Sequence, residues 1–223
     1  MLKVLLARMQ QKHRTIAYPK GDPKLPDRFV GRPVLQPERC KQGCAACAEA
    51  CPTNAVAVES SLVDLDLGRC VFCAACAQAC PTQAIAFSRD HGMATRTRQD
   101  LVLGQKDLKR AHALEGRIRR LLGRSLKLRQ VSAGGCNACE ADLNVLSTVV
   151  FDIGRFGIQF VASPRHADGL VVTGPVTQNM RLALMKTYEA VAAPKLVIAA
   201  GTCAISGGIY ENHPETNNGI GDL

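Results

Sequence analysis

Eight of the eleven cysteines in this 223-residue chain fall in two matching runs, Cys40-x3-Cys44-x2-Cys47-x3-Cys51-Pro52 and Cys70-x2-Cys73-x2-Cys76-x3-Cys80-Pro81. No other feature limits the fold so tightly. Three cysteines on one tight loop offer three thiolates to a single small object, and soft sulfur donors select iron-sulfur centres or zinc over hard cations. A fourth thiolate has to come from elsewhere, and the prolines after Cys51 and Cys80 break the local turn and send the chain away. Aligned at an offset of 29 residues, segments 43–58 and 72–87 are identical or similar at nearly every position, so the region is an internal duplication.

Zinc competes as a reading, because structural zinc also takes four thiolates. Zinc ribbons, however, present two separated Cys-x2-Cys pairs rather than three crowded cysteines and a fourth before proline. A disulfide framework fits poorly, since the cysteine count is odd and no secretory signal is recognisable. The second run has the C-x2-C-x2-C-x3-C-P spacing and resembles bacterial-type two-cluster ferredoxins, in which the fourth cysteine of each run ligates the other run's cluster. That resemblance implies two 4Fe-4S clusters. One takes Cys40, Cys44, Cys47 and Cys80; the other takes Cys70, Cys73, Cys76 and Cys51. Cys40-Lys41-Gln42-Gly43-Cys44 carries one residue more than the regular loop, which makes the first cluster the less regular of the two.

Charge divides the chain. Residues 1–39 hold 9 Lys/Arg against 3 Asp/Glu and residues 88–130 hold 12 against 4, while the remaining segments are slightly acidic. Both basic stretches lie outside the cysteine loops, where they can face an acidic protein, anionic lipid or solvent. Nucleic acid is the weakest partner, because nine aromatics and no tryptophan give no base-stacking platform. No apolar run approaches the roughly 20 residues of a membrane-spanning helix, and Met1–Met9 reads as neither anchor nor signal peptide. Nucleotide-binding motifs are absent, so electrons are expected from a partner rather than from a bound nucleotide. The expected location is cytoplasmic, peripheral on the cytoplasmic face of a membrane.

Prolines at 19, 23, 26, 33 and 37 mark residues 1–39 as a Pro-rich basic arm. Residues 40–98 form the expected two-cluster domain of α+β type, with strands at Ala55–Val58 and Ala84–Phe87. In the segment 99–130, Leu108, Ala111, Leu114, Ile118 and Leu121 form a helical stripe flanked by a Glu115–Arg119 pair, which reads as a basic amphipathic linker docked on its own protein, with a membrane-surface helix as the alternative. From 131 to 223 the period alternates. Strands are expected at Leu126–Val131, Ile158–Ala162, Gly169–Thr173 and Lys195–Ala200, the later ones apolar as buried parallel strands are, with helices over Glu140–Ser147 and Thr177–Val191. Such alternation argues for a parallel α/β sheet, whose sites form at the carboxyl ends of the strands. Cys136, Cys139 and Cys203 fall at those ends.

Gly134-Gly135-Cys136-Asn137-Ala138-Cys139-Glu140, Ser163-Pro164-Arg165-His166-Ala167-Asp168, Thr173-Gly174-Pro175 and Gly201-Thr202-Cys203-Ala204-Ile205-Ser206-Gly207-Gly208 together resemble the small subunit of nickel-iron hydrogenases. The likeness is to the short form in membrane-bound energy-converting hydrogenases and formate hydrogenlyase, which shares its fold with the 20 kDa cluster subunit of respiratory complex I. The first half resembles the two-cluster ferredoxin subunit of the same complexes, including Tyr18-Pro19 and Leu67-Gly68-Arg69-Cys70. The resemblance implies a flavodoxin-like second domain in which Cys136, Cys139 and Cys203 ligate a third 4Fe-4S cluster next to a large catalytic subunit. It also implies membrane subunits as partners. The family's fourth ligand, in a Gly-Cys-Pro motif, lies past Leu223, so the second domain reads as incomplete. The spacing Cys136-x2-Cys139 and His166 favour the hydrogenase branch. Glu140 is a candidate for a proton route or a plain first-turn acid, and Arg165 and His166 are candidates for fixing a loop or interface. The expected function is an electron-transfer subunit of an oxidoreductase with no catalytic residue of its own. A complex I-like quinone reductase subunit and a soluble ferredoxin with a docking domain are the alternatives.

Overall fold

The computed structural model describes residues 2–59, 62–104, 108–111, 120, 123 and 125–221. The chain opens with α1 (Leu2–Gln11), crosses an extended arm and forms β1 (Pro33–Leu35) before the first cysteine loop. That loop contains a short helix, α2 (Ala46–Glu49), and leads into β2 (Val56–Glu59) and β3 (Leu62–Asp66). The second loop repeats the design with α3 (Ala75–Ala79) and β4 (Ile85–Phe87), and β5 (Val102–Leu103) follows. Alanine-rich turns favour helix, and the proline two or three residues further on ends each one.

β2, β3 and β5 make one antiparallel sheet, and β1 pairs antiparallel with β4 in another. In β3, Val63 and Leu65 face inward while Leu62 and Asp64 face solvent, the two-residue alternation of a half-buried strand. Leu65 is fully buried among Val56, Ile85 and Leu103, and Cys47, Cys70 and Cys76 belong to the same core. The cysteine loops are therefore part of the hydrophobic interior.

The sheets reach beyond the segment expected to hold the clusters. β1 comes from the end of the Pro-rich arm, and β5 lies in the stretch expected as linker. Strands of two or three residues carry no readable period; long-range pairing creates them. Of the expected helical stripe, Leu114, Ile118 and Leu121, with Glu115 and Arg119, lie outside the described residues. Leu108 packs against the cysteine-rich core.

The second half runs β6 (Leu126–Ser132), α4 (Ala138–Val145), β7 (Ile158–Phe160), β8 (Gly169–Thr173), α5 (Gln178–Ala190), β9 (Leu196–Ala199) and α6 (Thr202–Ser206). All strand pairs are parallel, in the order β7-β6-β8-β9, giving the expected α/β architecture. Every residue of β8 is buried, and Leu170, Val172, Val176, Leu184 and Val191 form the core. β9 departs from the expectation of a buried strand: it forms an edge of the sheet, and Val197 and Ile198 are exposed.

Candidate iron-sulfur centres

The two loops exchange cysteines in space. Cys70, Cys73 and Cys76 line one small pocket together with Cys51 from the first run, and Val56, Leu65 and Phe87 form its apolar walls. Cys40 and Cys80 lie within electrostatic reach of Cys47, and Cys44 sits half-buried on the same loop as Cys40 and Cys47. Among the described residues, no three His, Cys, Asp or Glu side chains close around a point as a lone metal ion requires. A ring of sulfurs around an open space, without carboxylate or imidazole, is a donor set that fits an iron-sulfur cluster.

The loop geometry is set by backbone in the left-handed region. Phe72 and Ala74 have φ of 55° and 60°, while Gly43 has φ of 76° in the first loop. Past each fourth cysteine the chain curls back and offers its N–H groups to sulfur: Ala55 N donates to Cys51 Sγ at 3.1 Å and Ala84 N donates to Cys80 Sγ at 3.2 Å. The hydroxyls of Thr53 and Thr82 lie 3.8 and 3.7 Å from the same sulfurs. Burial pushes the Cys51 and Cys80 thiols up, but these backbone and hydroxyl donors outweigh it and hold both below the ordinary cysteine value. Burial dominates elsewhere, raising Cys47 and Cys76 and pushing Cys70 up to about 11. A bound metal inverts that preference, because its charge favours the thiolate.

The remaining cysteines also converge. Cys136 is exposed and Cys139 half-buried after β6, and Cys203 is half-buried in α6 after β9. Gly201, at φ +89°, brings the α6 turn against Cys139; a Cβ there would lie 2.4 Å from Cys139 Sγ, so only glycine leaves room. Burial raises the Cys139 and Cys203 thiols. The nearby Glu140 carboxylate then adds to Cys139, and the Cys136 sulfur adds to Cys203. Glu140 is itself buried beneath the site, where Ser132 Oγ and Thr173 Oγ1 donate to its Oε1 at 2.7 and 2.6 Å. Burial raises its pKa, and these two hydroxyls outweigh burial and hold it low. Arg165 and His166 project exposed from the loop between β7 and β8.

The second cysteine loop rests directly on the third site. Thr202 Oγ1 donates to the Cys70 carbonyl at 2.9 Å, and Ser206 Oγ donates to the Gly68 carbonyl at 2.7 Å. Arg69 reaches Glu211 at 2.5 Å, and Arg98 Nη1 clamps Asp66 at 2.7 Å just before the loop. A Cβ at Gly68 would lie 2.8 Å from both Ile205 and Arg98, so this approach also needs bare backbone. Sequence reasoning singled out none of Thr53, Thr82, Thr202 and Ser206. Thr53 and Thr82 were findable, because Cys-Pro-Thr recurs in both runs; the other two act only through tertiary contact.

Residues 39–84 match the family described as 4Fe-4S dicluster domain, and residues 136–222 match that described as NADH ubiquinone oxidoreductase, 20 Kd subunit. The chain thus joins a segment similar to the dicluster domain to a segment similar to the 20 kDa subunit. It is similar to a probable membrane-bound hydrogenase subunit of Pyrococcus furiosus, 42% identical over 107 residues that cover 47% of this chain and 64% of that protein. Formate hydrogenlyase subunit 7 of Escherichia coli is 38% identical over 100 residues, 45% of this chain and 39% of the relative. An NADH-quinone oxidoreductase subunit of Nocardia farcinica is 42% identical over 80 residues, 35% of this chain and 44% of the relative. The chain therefore spans less than two thirds of each of these relatives.

Proposed function

We propose that this chain is an iron-sulfur electron relay in which two ferredoxin-type 4Fe-4S clusters feed a third metal site in a flavodoxin-like domain. The contact between Thr202 and the Cys70 carbonyl carries the reading, because it sets the loop of Cys70, Cys73 and Cys76 against the helix of Cys203. The relay then has a sequence. Cys40, Cys44, Cys47 and Cys80 hold the outer cluster. Cys70, Cys73, Cys76 and Cys51 hold the inner one, and Cys136, Cys139 and Cys203 supply three thiolates to the last. The strand order β7-β6-β8-β9 supports the flavodoxin-like assignment, since it is the 2-1-3-4 progression with which such sheets begin.

The clusters supply one-electron redox chemistry. The chain's own residues supply the ligands, the N–H and hydroxyl donors to Cys51 and Cys80, and apolar walls. On this reading the last site exchanges electrons with the large catalytic subunit of a membrane-associated, hydrogenase-type complex, and no bond-making step falls to this chain. The spacing Cys136-x2-Cys139 favours the hydrogenase branch over a quinone reductase. Anaerobic purification with iron and sulfide analysis, followed by an EPR-monitored reductive titration, tests the proposal. Three distinct centres are expected. Two interacting centres alone would replace it with a ferredoxin carrying a docking domain, and zinc or the absence of iron would sink both.

A further inference from the structure

We infer that α1 and the loop after α4 together form a docking surface for an anionic lipid bilayer. None of the ten residues of α1 is buried. At helical spacing Leu2, Leu5, Leu6 and Met9 form one stripe, and they are 73%, 60%, 48% and 74% exposed. A helix this short has little stability of its own in water, where lengths below roughly 12–15 residues are marginal. Its apolar stripe calls for a surface to cover it.

A second apolar surface, far away in sequence, sits beside the same arm. Just past α1, Thr15 Oγ1 donates to the Val149 carbonyl at 2.8 Å and Ile16 N donates to the Val150 carbonyl at 2.9 Å. Arg155 Nη1 donates to the Ile16 carbonyl at 2.8 Å and Nη2 to the Tyr18 carbonyl at 3.1 Å. The loop held in this way exposes Val149, Val150, Phe151 and Phe156 to solvent. Clustered exposed apolar residues on two elements that the same arm links exceed the singly scattered residues expected of a protein surface, and mark an interaction site.

Charge selects the occupant. Lys3, Arg8, Lys12, Arg14 and Lys20 precede the first acidic residue, Asp22, and Arg155 adds a further positive charge beside the loop. Six cations stand against one carboxylate, the exposed Asp152 of the loop, and this strong positive excess beside leucine, valine and phenylalanine favours an anionic surface. The combination matches the basic, apolar-faced helices that lie in the headgroup boundary of anionic membranes. No helix among the described residues is long and apolar enough to cross a membrane, so the contact is with the bilayer surface. The inference goes beyond the relay and does not depend on which clusters assemble.

Flotation of the cluster-loaded full chain tests it, using vesicles of phosphatidylcholine with and without phosphatidylglycerol at low and high salt. The chain is expected to float with the anionic vesicles, to be released by high salt and to bind neutral vesicles weakly. The double variant Leu5→Glu/Leu6→Glu is expected to lose roughly a hundredfold in binding, and Val149→Asp a smaller part. Because these side chains are exposed, iron content and the EPR spectrum should stay unchanged in both variants, which separates failure of docking from failure of the relay reading. Absence of binding to anionic vesicles overturns the inference, as does binding untouched by the α1 substitutions, even if the chain still assembles with other proteins through this surface.

Discussion

The two cysteine loops are near copies in sequence and unlike in their surroundings. Their backbones preserve the duplication in detail. Asn54 and Gln83 occupy equivalent positions and both have positive φ, 51° and 53°, and Gly43 and Phe72 match in the same way at 76° and 55°. The copies diverge at Ala45 and Ala74, where φ is −117° in the first loop and 60° in the second. That divergence sits beside the extra residue between Cys40 and Cys44. The larger contrast lies outside the loops. The first opens into the β2–β3–β5 sheet and buries Cys47 alone of its cysteines, whereas the second buries Cys70 and Cys76, leaves Cys73 exposed and has α6 pressed against its entry. Duplication supplies two equal ligand sets, and tertiary burial then makes them unequal.

The largest expected effect would erase this contrast. Removing iron with a chelator under reducing conditions should unfold both loops together, since their sulfurs are core members and bound metal can supply folding free energy on the order of 10 kcal/mol. Hydrogen exchange should then show lost protection at Val56 and Leu65 and retained protection across β8. Retained protection at Leu65 would show that the apolar core suffices alone.

Single-ligand changes come next. Cys51→Ala should cost roughly half of the ferredoxin-domain iron and abolish the EPR signal of the second loop, not of its own; Cys80→Ala should do the reverse. Loss of the local signal instead would refute the exchange. Gly68→Ala should push α6 off the second loop, at a cost of about 1–3 kcal/mol as an overpacked contact. The equivalent position in the first repeat, two residues before the first cysteine, is Glu38, which is exposed, and Glu38→Ala should leave the denaturation midpoint unchanged.

Smaller effects sharpen the comparison. Thr53→Val should lower the potential of the inner cluster by a few tens of millivolts, because it removes a hydroxyl donor to sulfur. Thr82→Val should do less, since Thr82 is exposed and water can replace it, whereas Thr53 is buried. The smallest effect concerns the strand pair behind the second loop. Gly92 N–H and then the Arg110 and Arg32 guanidiniums hold the Asp90 carboxyl below its ordinary value. A depressed carboxylate stabilises the fold above its unfolded pKa, about 3.9, and loses that contribution as pH falls through the folded value. Below about pH 4 the β1–β4 pair should therefore loosen by no more than about 1 kcal/mol, as expected for a half-exposed ion pair. Asp90→Asn should remove this pH dependence while leaving β2–β3 untouched.

What was legible in the sequence follows the range of the physics involved. Ligand spacing is local chemistry, so all eleven cysteines stand out as candidate ligands, and β8 follows from a compact apolar run. Leu2, Leu5, Leu6 and Met9 carry a helical period that marks α1, in a stretch too short to span a membrane. The alternation in Leu62–Asp66 is equally readable as a half-buried strand. β9 has the composition of an interior strand, and only its place in the sheet order shows that it is exposed. The seating of α6 on the Cys70 loop left no local trace, because Thr202 and Ser206 look like ordinary helix residues until their acceptors, Cys70 and Gly68, are known.

That seating bears on molecularity. Because Cys70 and Cys203 belong to one polypeptide, the contact between their loops forms at an effective concentration set by the tether and not by how many copies the cell contains. Under the proposed relay, an electron passing from the inner cluster to the third site never leaves the polypeptide. Dilution should slow its arrival at the outer loop and its departure to a partner, while the step between these two sites keeps a first-order rate.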